Sequence, residues 1–204
     1  SSTSRGLGDV YKRQHLDLDD TIRSTARNAG MLDIKMVPER RNAVKVLIFF
    51  DVGGSMDPYV KLCEELFSAA KTEFKHLEYF YFHNCLYDYV WKDNHRRREE
   101  QVSTHDLIHK YAADYKVIFV GDASMAPYEV TSPGGSVEYN NEESGAIWMQ
   151  RMAETYDKLV WLNPVQEKYW DYTPSITMIK ELTEDKMFPL TLGGLEKAMA
   201  LLSR

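Results

Sequence analysis

The residues of this sequence best suited to chemistry form a short cluster in which Asp51 is followed by Gly53, Gly54 and Ser55. The cluster comes directly after the continuous apolar run at residues 46–50, which is typical of a strand covered on both faces, as in parallel sheets. Open α/β sheets bind ligands at the carboxyl ends of their strands. Asp51 is therefore expected at a ligand crevice, poised for chemistry or for a cation.

A second carboxylate ends another apolar run, because Gly121 and Asp122 follow the segment 115–120. Parallel strands end at the same edge of a sheet, so Asp122 is expected to lie near Asp51. Magnesium prefers oxygen ligands in octahedral geometry and keeps several waters. The sequence therefore predicts a site for Mg²⁺ or Mn²⁺ whose candidate ligands are the following four residues: Asp51, Ser55, Thr104 and Asp122.

Three of these four residues also have ordinary structural roles. Ser55 and Thr104 are both of a type that caps helices, and each precedes a predicted helix. Asp122 could serve only as a turn residue. The cation hypothesis rests on their coincidence with Asp51 at the ends of central strands, and the structural alternatives stay open at this point.

The elements that must position these residues alternate between strands and helices, which predicts an α/β fold. We expect a doubly wound, mostly parallel central sheet with one antiparallel edge strand and helices on both faces. Asn84 and Cys85 separate two aromatic segments and predict a tight hairpin. The predicted strands are 46–51, 77–83, 86–91, 115–122, 158–162 and 187–190. The predicted helices are one ending near Lys75 and capped by Ser55 or Asp57, one capped by Ser103 or Thr104 and running to Tyr111, and those at 142–156, 174–182 and 192–202.

The chain divides into three parts. Residues 1–14 show no clear amphipathic period, so we interpret them as a non-native or disordered leader. Residues 15–41 are expected to hold a helix at 17–28 and a lead-in strand at 32–37. Residues 42–204 form the predicted domain, in which the long segment 123–141 is expected to lie beside Asp122 and to be functional or mobile.

Composition limits the classes of partner. The chain has 204 residues, 44% of them hydrophobic, and a formal net charge of -6, so it has no basic surface of the kind that attracts nucleic acid. No apolar stretch approaches the roughly 20 residues needed to span a bilayer, so no membrane association is expected. Cys63 and Cys85 form no CxxC pair and are interpreted as reduced core thiols of a cytoplasmic protein.

The segment from Asp51 to Met56 resembles the Asp-x-Ser-x-Ser signature of von Willebrand factor A (VWA) domains. In that family a metal-ion-dependent adhesion site adds a Thr and an Asp from later loops, which Thr104 and Asp122 match in order. Other segments, Arg40–Asn42, Tyr81–Asn84 and Val160–Pro164, resemble bacterial CoxE-like VWA proteins. The resemblance covers roughly residues 17–204.

This resemblance implies a VWA or Rossmann-like fold and a binding module that is not an enzyme. In the family, the bound cation leaves one coordination position for a carboxylate of a protein partner. CoxE-like proteins are also associated with MoxR-type AAA+ ATPases in metalloenzyme maturation, which gives a partner hypothesis for this chain.

One position departs from the family signature, since Gly53 stands where the first serine would give a hydroxyl to the metal. Two expectations follow. Either the cation is bound more weakly, with water in place of the hydroxyl, or the site is dead and the chain is a metal-free structural interaction domain.

An enzyme is the competing class. Phosphatases of the haloacid dehalogenase type also place a nucleophilic aspartate after the first strand, where Asp51 stands, and Gly121-Asp122 faintly resembles their later motif. Their general acid, however, would be an Asp at the position of Gly53, and the later motif needs an acid near Ala126. Without these acids the leaving group has no proton donor.

Overall fold

The computed structural model describes residues 14–16, 36–38 and 44–204. Its strands are β1 (Gln14–Leu16), β2 (Met36–Pro38), β3 (Lys45–Asp51), β4 (His76–Phe82), β5 (Tyr89–Trp91), β6 (Gln101–Ser103), β7 (Lys116–Val120), β8 (Leu159–Asn163) and β9 (Met187–Pro189). Its α-helices are α1 (Val60–Glu73), α2 (Thr104–Lys110), α3 (Pro127–Thr131), α4 (Gly145–Thr155), α5 (Pro174–Leu182) and α6 (Leu192–Leu202). Short 3₁₀ segments occur at Gly54–Tyr59, Arg98–Glu100 and Glu167–Tyr172. Across the described ranges, no helix is long and apolar enough to cross a membrane.

Seven strands form one mixed sheet in the order β6-β5-β4-β3-β7-β8-β9. Strand β3 pairs in parallel with β4 and β7, and β8 and β9 continue the parallel arrangement. Strand β5 runs antiparallel to β4, and β6 runs antiparallel to β5. The predicted α/β class is confirmed. The antiparallel strand lies one position inside the edge, however, because the short strand β6, which the sequence did not predict, forms the edge itself.

The apolar run of β3 is buried because both faces of the sheet are covered. Leu47 and Phe49 belong to the core under α2, α4 and α5, where the ring of Phe49 stacks on Phe119 with centroids 4.8 Å apart. Ile48 and Phe50 belong to the opposite core under α1 and α6. This two-sided burial is why β3 is uniformly apolar from Val46 to Phe50.

The helix after β3 begins differently from the prediction. The chain first forms the 3₁₀ segment, which contains Pro58, and α1 starts only at Val60. Neither the 3₁₀ segment nor α1 has a side-chain cap, so the predicted capping by Ser55 or Asp57 is wrong. The backbone replaces it, since the N–H of Met56 donates to the carbonyl of Gly53 at 2.9 Å.

Two other local predictions have clear outcomes. Ser103 does cap α2, because its Oγ accepts a hydrogen bond from the N–H of Asp106 at 3.3 Å. Both cysteines are free thiols, with Cys85 buried and Cys63 half-buried.

The N-terminal part forms a separate two-stranded antiparallel sheet in which β1 pairs with β2. The predicted strand at 32–37 overlaps β2, which continues to Pro38. The predicted helix at 17–28 and the leader up to residue 13 fall outside the described residues.

Candidate functional site

The structure brings the two predicted carboxylates to neighbouring strand ends. Asp51 is the last residue of β3, and Asp122 follows β7, whose Val120 lies opposite Phe50 in the parallel register. Both side chains are buried, with residue exposures of 5% for Asp51 and 2% for Asp122. The edge rule for parallel strands therefore predicted this pair correctly.

The two oxygens of Asp51 differ. Its Oδ1 accepts hydrogen bonds from the N–H of Gly53 at 2.8 Å and from the N–H of Asn84 at 3.0 Å. Its Oδ2 is buried and has no hydrogen-bond partner within the described part of the chain. A buried carboxylate oxygen without a partner bears a large desolvation cost. A proton or a cation would relieve that cost.

The pKa of Asp51 reflects this environment. Burial raises the pKa of its carboxyl from the ordinary 3.8 to about 7. The hydrogen bond from Gly53 opposes the rise, whereas the negative charge of Asp122 adds to it. Without a bound cation, the Asp51 carboxyl is therefore partly protonated near neutral pH.

Gly121 makes room for the side chain of Asp51. A Cβ added at Gly121 would lie 2.9 Å from the Cβ of Asp51 and 3.2 Å from its Oδ2. The first distance is shorter than carbon atoms tolerate without movement. The glycine before Asp122 is therefore required by the close approach of Asp51 over the end of β7.

Asn84 contacts Asp51, and Glu129 contacts Asn84; sequence reasoning missed both as site residues. Asn84 forms the tight turn after β4 with a left-handed backbone (φ 63°), and its Nδ2 donates to Oε1 of Glu129 at 2.8 Å. The other oxygen of Glu129 accepts from the N–H of Ala126 at 2.8 Å. Asn84 could have been found, because it ends the strand next to β3 at the same sheet edge. Glu129 carries no such signal.

Ser55 lies on the 3₁₀ segment close in sequence to Asp51, and its side chain is exposed. Thr104 does not lie at the end of β3 or of its neighbours. It follows β6, three strands from β3, which corresponds to about 14 Å at the usual strand spacing. Its hydroxyl is buried and donates to the carbonyl of Tyr87 at 2.6 Å. The structure thus unites Asp51 and Asp122, leaves Ser55 at the surface and does not bring Thr104 to them.

These residues fit only one kind of cation site. Within the described ranges, no group of three or more His, Cys, Asp and Glu side chains is placed to hold a metal ion. A cage built from many carboxylates is therefore not present there. Mg²⁺ is commonly held by one or two carboxylates and several waters. The unpartnered Oδ2 of Asp51, with Asp122 beside it, fits that donor set.

A cavity of about 190 Å³ opens beside the carboxyl end of β3, on the side of α1. Its walls include the carboxylates of Asp57 and Glu64 and the rings of Phe67 and Tyr81. Val60, which also lines it, is 48% exposed. An indentation with aromatic walls and exposed apolar surface therefore adjoins Asp51.

The fold and the site define a doubly wound α/β domain with acidic residues at the carboxyl edge of its central strands. Residues 9–92 match the family described as VWA domain containing CoxE-like protein. The resemblance to CoxE-like VWA proteins is confirmed over these residues. The matched range includes Asp51, Gly53 and Asn84 and ends before Thr104 and Asp122. No curated protein and no solved structure matches the chain significantly.

Proposed function

We propose that this chain is a non-catalytic protein-binding module that holds Mg²⁺ or Mn²⁺ at Asp51 and Asp122. The observation that carries the proposal is that Oδ2 of Asp51 is buried and has no hydrogen-bond partner among the residues that the structure describes. Two buried carboxylates on neighbouring strands repel each other, and a divalent cation offsets both that repulsion and the desolvation cost. When bound, the cation would supply a position for a carboxylate from a protein partner, as the resemblance to VWA domains implies.

The surroundings of Asp51 support a protein interface. The cavity beside β3 offers aromatic walls from Phe67 and Tyr81, and Val60 exposes apolar surface at its mouth. Interfaces draw much of their binding energy from a few apolar and aromatic anchors around well-placed polar groups. In this proposal the acidic edge gives the orientation of the partner, and the cavity gives contact area.

The resemblance to CoxE-like proteins adds a specific partner. We propose a MoxR-type AAA+ ATPase acting in metalloenzyme maturation, since family members are associated with such ATPases. The matched segment contains Asp51 and its immediate surroundings, so the proposed contact would use this edge of the sheet.

The acids around Asp51 support a non-catalytic module. Gly53 stands where a phosphatase of the haloacid dehalogenase type would have its general acid. Glu129 is the acid nearest in sequence to Ala126, but its oxygens accept hydrogen bonds from Asn84 and Ala126. Both oxygens of Glu129 are thus already engaged as hydrogen-bond acceptors within the fold. We expect no hydrolysis of a generic phosphomonoester, and hydrolysis abolished by Asp51→Asn would overturn this part of the proposal.

One observation favours a metal-free variant of the same module. The hydroxyl of Thr104 donates a hydrogen bond to the carbonyl of Tyr87, and Gly53 has no hydroxyl at all. The two hydroxyl ligands that the family pattern expects at these positions are therefore not directed at Asp51. In that variant a proton on Asp51 satisfies Oδ2, and the partner binds without a cation.

The test is binding to the purified MoxR-type ATPase of the same host, with Mg²⁺ and then with EDTA. Wild-type protein should bind in Mg²⁺ and lose most of its binding in EDTA, and Asp51→Asn should bind weakly in both. Glu143→Ala changes a partly exposed side chain that pairs with Arg151 rather than with a site residue. It serves as the control and should bind like wild type. Binding that ignores EDTA would favour the metal-free variant, and no binding under any condition would remove the ATPase from the proposal.

A further inference from the structure

The space in front of Gly53 is filled by an oxygen of another residue. A Cβ added at Gly53 would lie 2.4 Å from Oδ1 of Asn84 and 3.2 Å from Oδ1 of Asp51. The backbone of Gly53 has φ -61°, a conformation that any residue adopts. A Cβ at this position would therefore require the amide oxygen of Asn84 to move. A serine side chain would begin where that oxygen lies.

The orientation of the Asn84 amide is fixed by Glu129. A carboxylate accepts hydrogen bonds, so the group that faces Oε1 of Glu129 must be the NH₂ of Asn84. The amide oxygen is then turned away from Glu129 and toward Gly53. The second oxygen of Glu129 is held by the N–H of Ala126, which keeps this support rigid.

Asn84 is linked to Asp51 as well. Its backbone N–H donates to Oδ1 of Asp51, and its left-handed backbone is one that asparagine tolerates better than most residues. The side chain is half-buried, so solvent reaches this part of the cluster. The other oxygen of the same carboxylate, Oδ2 of Asp51, is buried and has no hydrogen-bond partner among the described residues, which is an independent sign of a missing ligand.

We propose that Asn84 is a ligand of the cation site, and that its amide oxygen replaces the serine hydroxyl that Gly53 lacks. The site then consists of Asp51, Asp122 and Asn84, with Glu129 as the residue that positions the amide. Amide oxygens are accepted ligands of hard divalent cations. This inference rests on the proposed cation site and assigns its neutral protein ligand.

The pairing of Gly53 with Asn84 gives the test its design. Binding of Mn²⁺ is measured by the loss of the free-ion signal in electron paramagnetic resonance. Asn84→Gly keeps the left-handed backbone and its N–H but removes the amide, and should weaken Mn²⁺ binding about tenfold or more. Gly53→Ala should also weaken binding, because its Cβ displaces the amide oxygen although every ligand is retained. The double variant Gly53→Ser with Asn84→Gly should recover much of the loss, since a hydroxyl then enters the vacated space.

Gly54→Ala is the matched control, because a Cβ at Gly54 meets no atom of the described ranges within 4 Å. It should bind Mn²⁺ like wild type. If wild type binds Mn²⁺ but Asn84→Gly binds equally well, Asn84 is not a ligand and only this inference fails. If wild type itself binds no Mn²⁺, both the proposed cation site and the inference about Asn84 are wrong. If Asn84→Gly does not melt cooperatively, the test relies on Gly53→Ala instead. An affinity of Gly53→Ala for Mn²⁺ equal to that of wild type would overturn the inference.

Discussion

Two buried carboxylates flank Asn84, and they are held in different ways. Glu129 is 6% exposed, and its oxygens accept hydrogen bonds from the side chain of Asn84 and from the N–H of Ala126. Asp51 is 5% exposed, but only its Oδ1 accepts hydrogen bonds, from the N–H groups of Gly53 and Asn84. Its Oδ2 has no partner among the described residues.

The difference separates a carboxylate whose two oxygens are satisfied by the fold from one that the proposed cation would satisfy. Burial of a charge is tolerated when hydrogen bonds replace the lost water, and Glu129 meets that condition. Asp51 meets it for one oxygen, and burial raises its pKa to about 7. Glu129 is therefore expected to stabilise the fold, whereas Oδ2 of Asp51 is the atom that a proton or the proposed cation would satisfy.

The largest expected effect is on the pH dependence of stability. In EDTA, folded Asp51 holds a proton that the unfolded chain releases between about pH 4 and pH 7, because its pKa is raised by folding. Its contribution to stability is therefore greatest at low pH and is lost as pH rises to about 7. Over this range the free energy of unfolding of wild type should fall relative to Asp51→Asn by up to about 4 kcal/mol. Urea titrations of both proteins at several pH values measure this difference, and parallel pH profiles would contradict it.

Removal of the structural carboxylate should cost slightly less. Glu129→Ala leaves the NH₂ of Asn84 and the N–H of Ala126 without their acceptor, so we expect a loss of about 3 kcal/mol at neutral pH. The control is Glu143→Ala, which breaks an ion pair with Arg151 in which both side chains are more than one-third exposed. That change should cost less than about 1 kcal/mol. Equal losses in the two variants, measured by chemical denaturation, would remove the distinction between Glu129 and a surface carboxylate.

Crowding of Asp51 should have an intermediate effect. Gly121→Ala places a Cβ 2.9 Å from that of Asp51, which should destabilise the protein by about 2 kcal/mol. Gly193→Ala is the control, because a Cβ there meets no atom within 4 Å in the described part of the chain. Gly193 also lies in α6, where alanine favours the helix. Thermal melts should separate these two variants clearly. A Gly121→Ala protein as stable as wild type would show that the Asp51 side chain does not lie over the end of β7.

The smallest effects concern the two predicted hydroxyl ligands. Thr104→Val removes the buried hydrogen bond to Tyr87 and should cost about 1 kcal/mol without changing the stabilisation by Mg²⁺. Ser55→Ala changes an exposed side chain and should alter stability by less than about 0.5 kcal/mol. Melting curves with and without Mg²⁺ measure both quantities. A Thr104→Val protein that no longer responds to Mg²⁺ would mean that Thr104 reaches the site after all.

The parts of the fold that the sequence predicted are those with strong local patterns. The continuous apolar run before Asp51 identified β3, and the predicted helices 174–182 and 192–202 match α5 and α6. Strand β6 has only three residues, and its Gln-Val-Ser sequence shows no pattern from which a strand could be recognised. The start of α1 was misplaced because the first turns are 3₁₀ and contain Pro58, which a search for capping side chains does not detect.

The residues of the site likewise fall into those that a local pattern predicts and those that only tertiary packing brings together. Asp51 and Asp122 could be predicted, because both end strands of a parallel sheet and such ends share an edge. The contact between Asn84 and Glu129 joins residues 45 positions apart and arises only when α3 packs beside the turn after β4. Thr104 was expected at the site from its order along the chain, but the insertion of β6 at the sheet edge places it three strands from β3.

The most direct test of the central claim, that Asp51 is the carboxylate that binds the cation, is the melting temperature with and without Mg²⁺ at neutral pH. At a Mg²⁺ concentration about a hundredfold above Kd, wild type should gain about 2.7 kcal/mol, or roughly 5 °C or more. Asp51→Asn should gain almost nothing, and Glu143→Ala should gain as much as wild type. An equal gain in wild type and Asp51→Asn, or no gain in wild type at millimolar Mg²⁺, would contradict the claim.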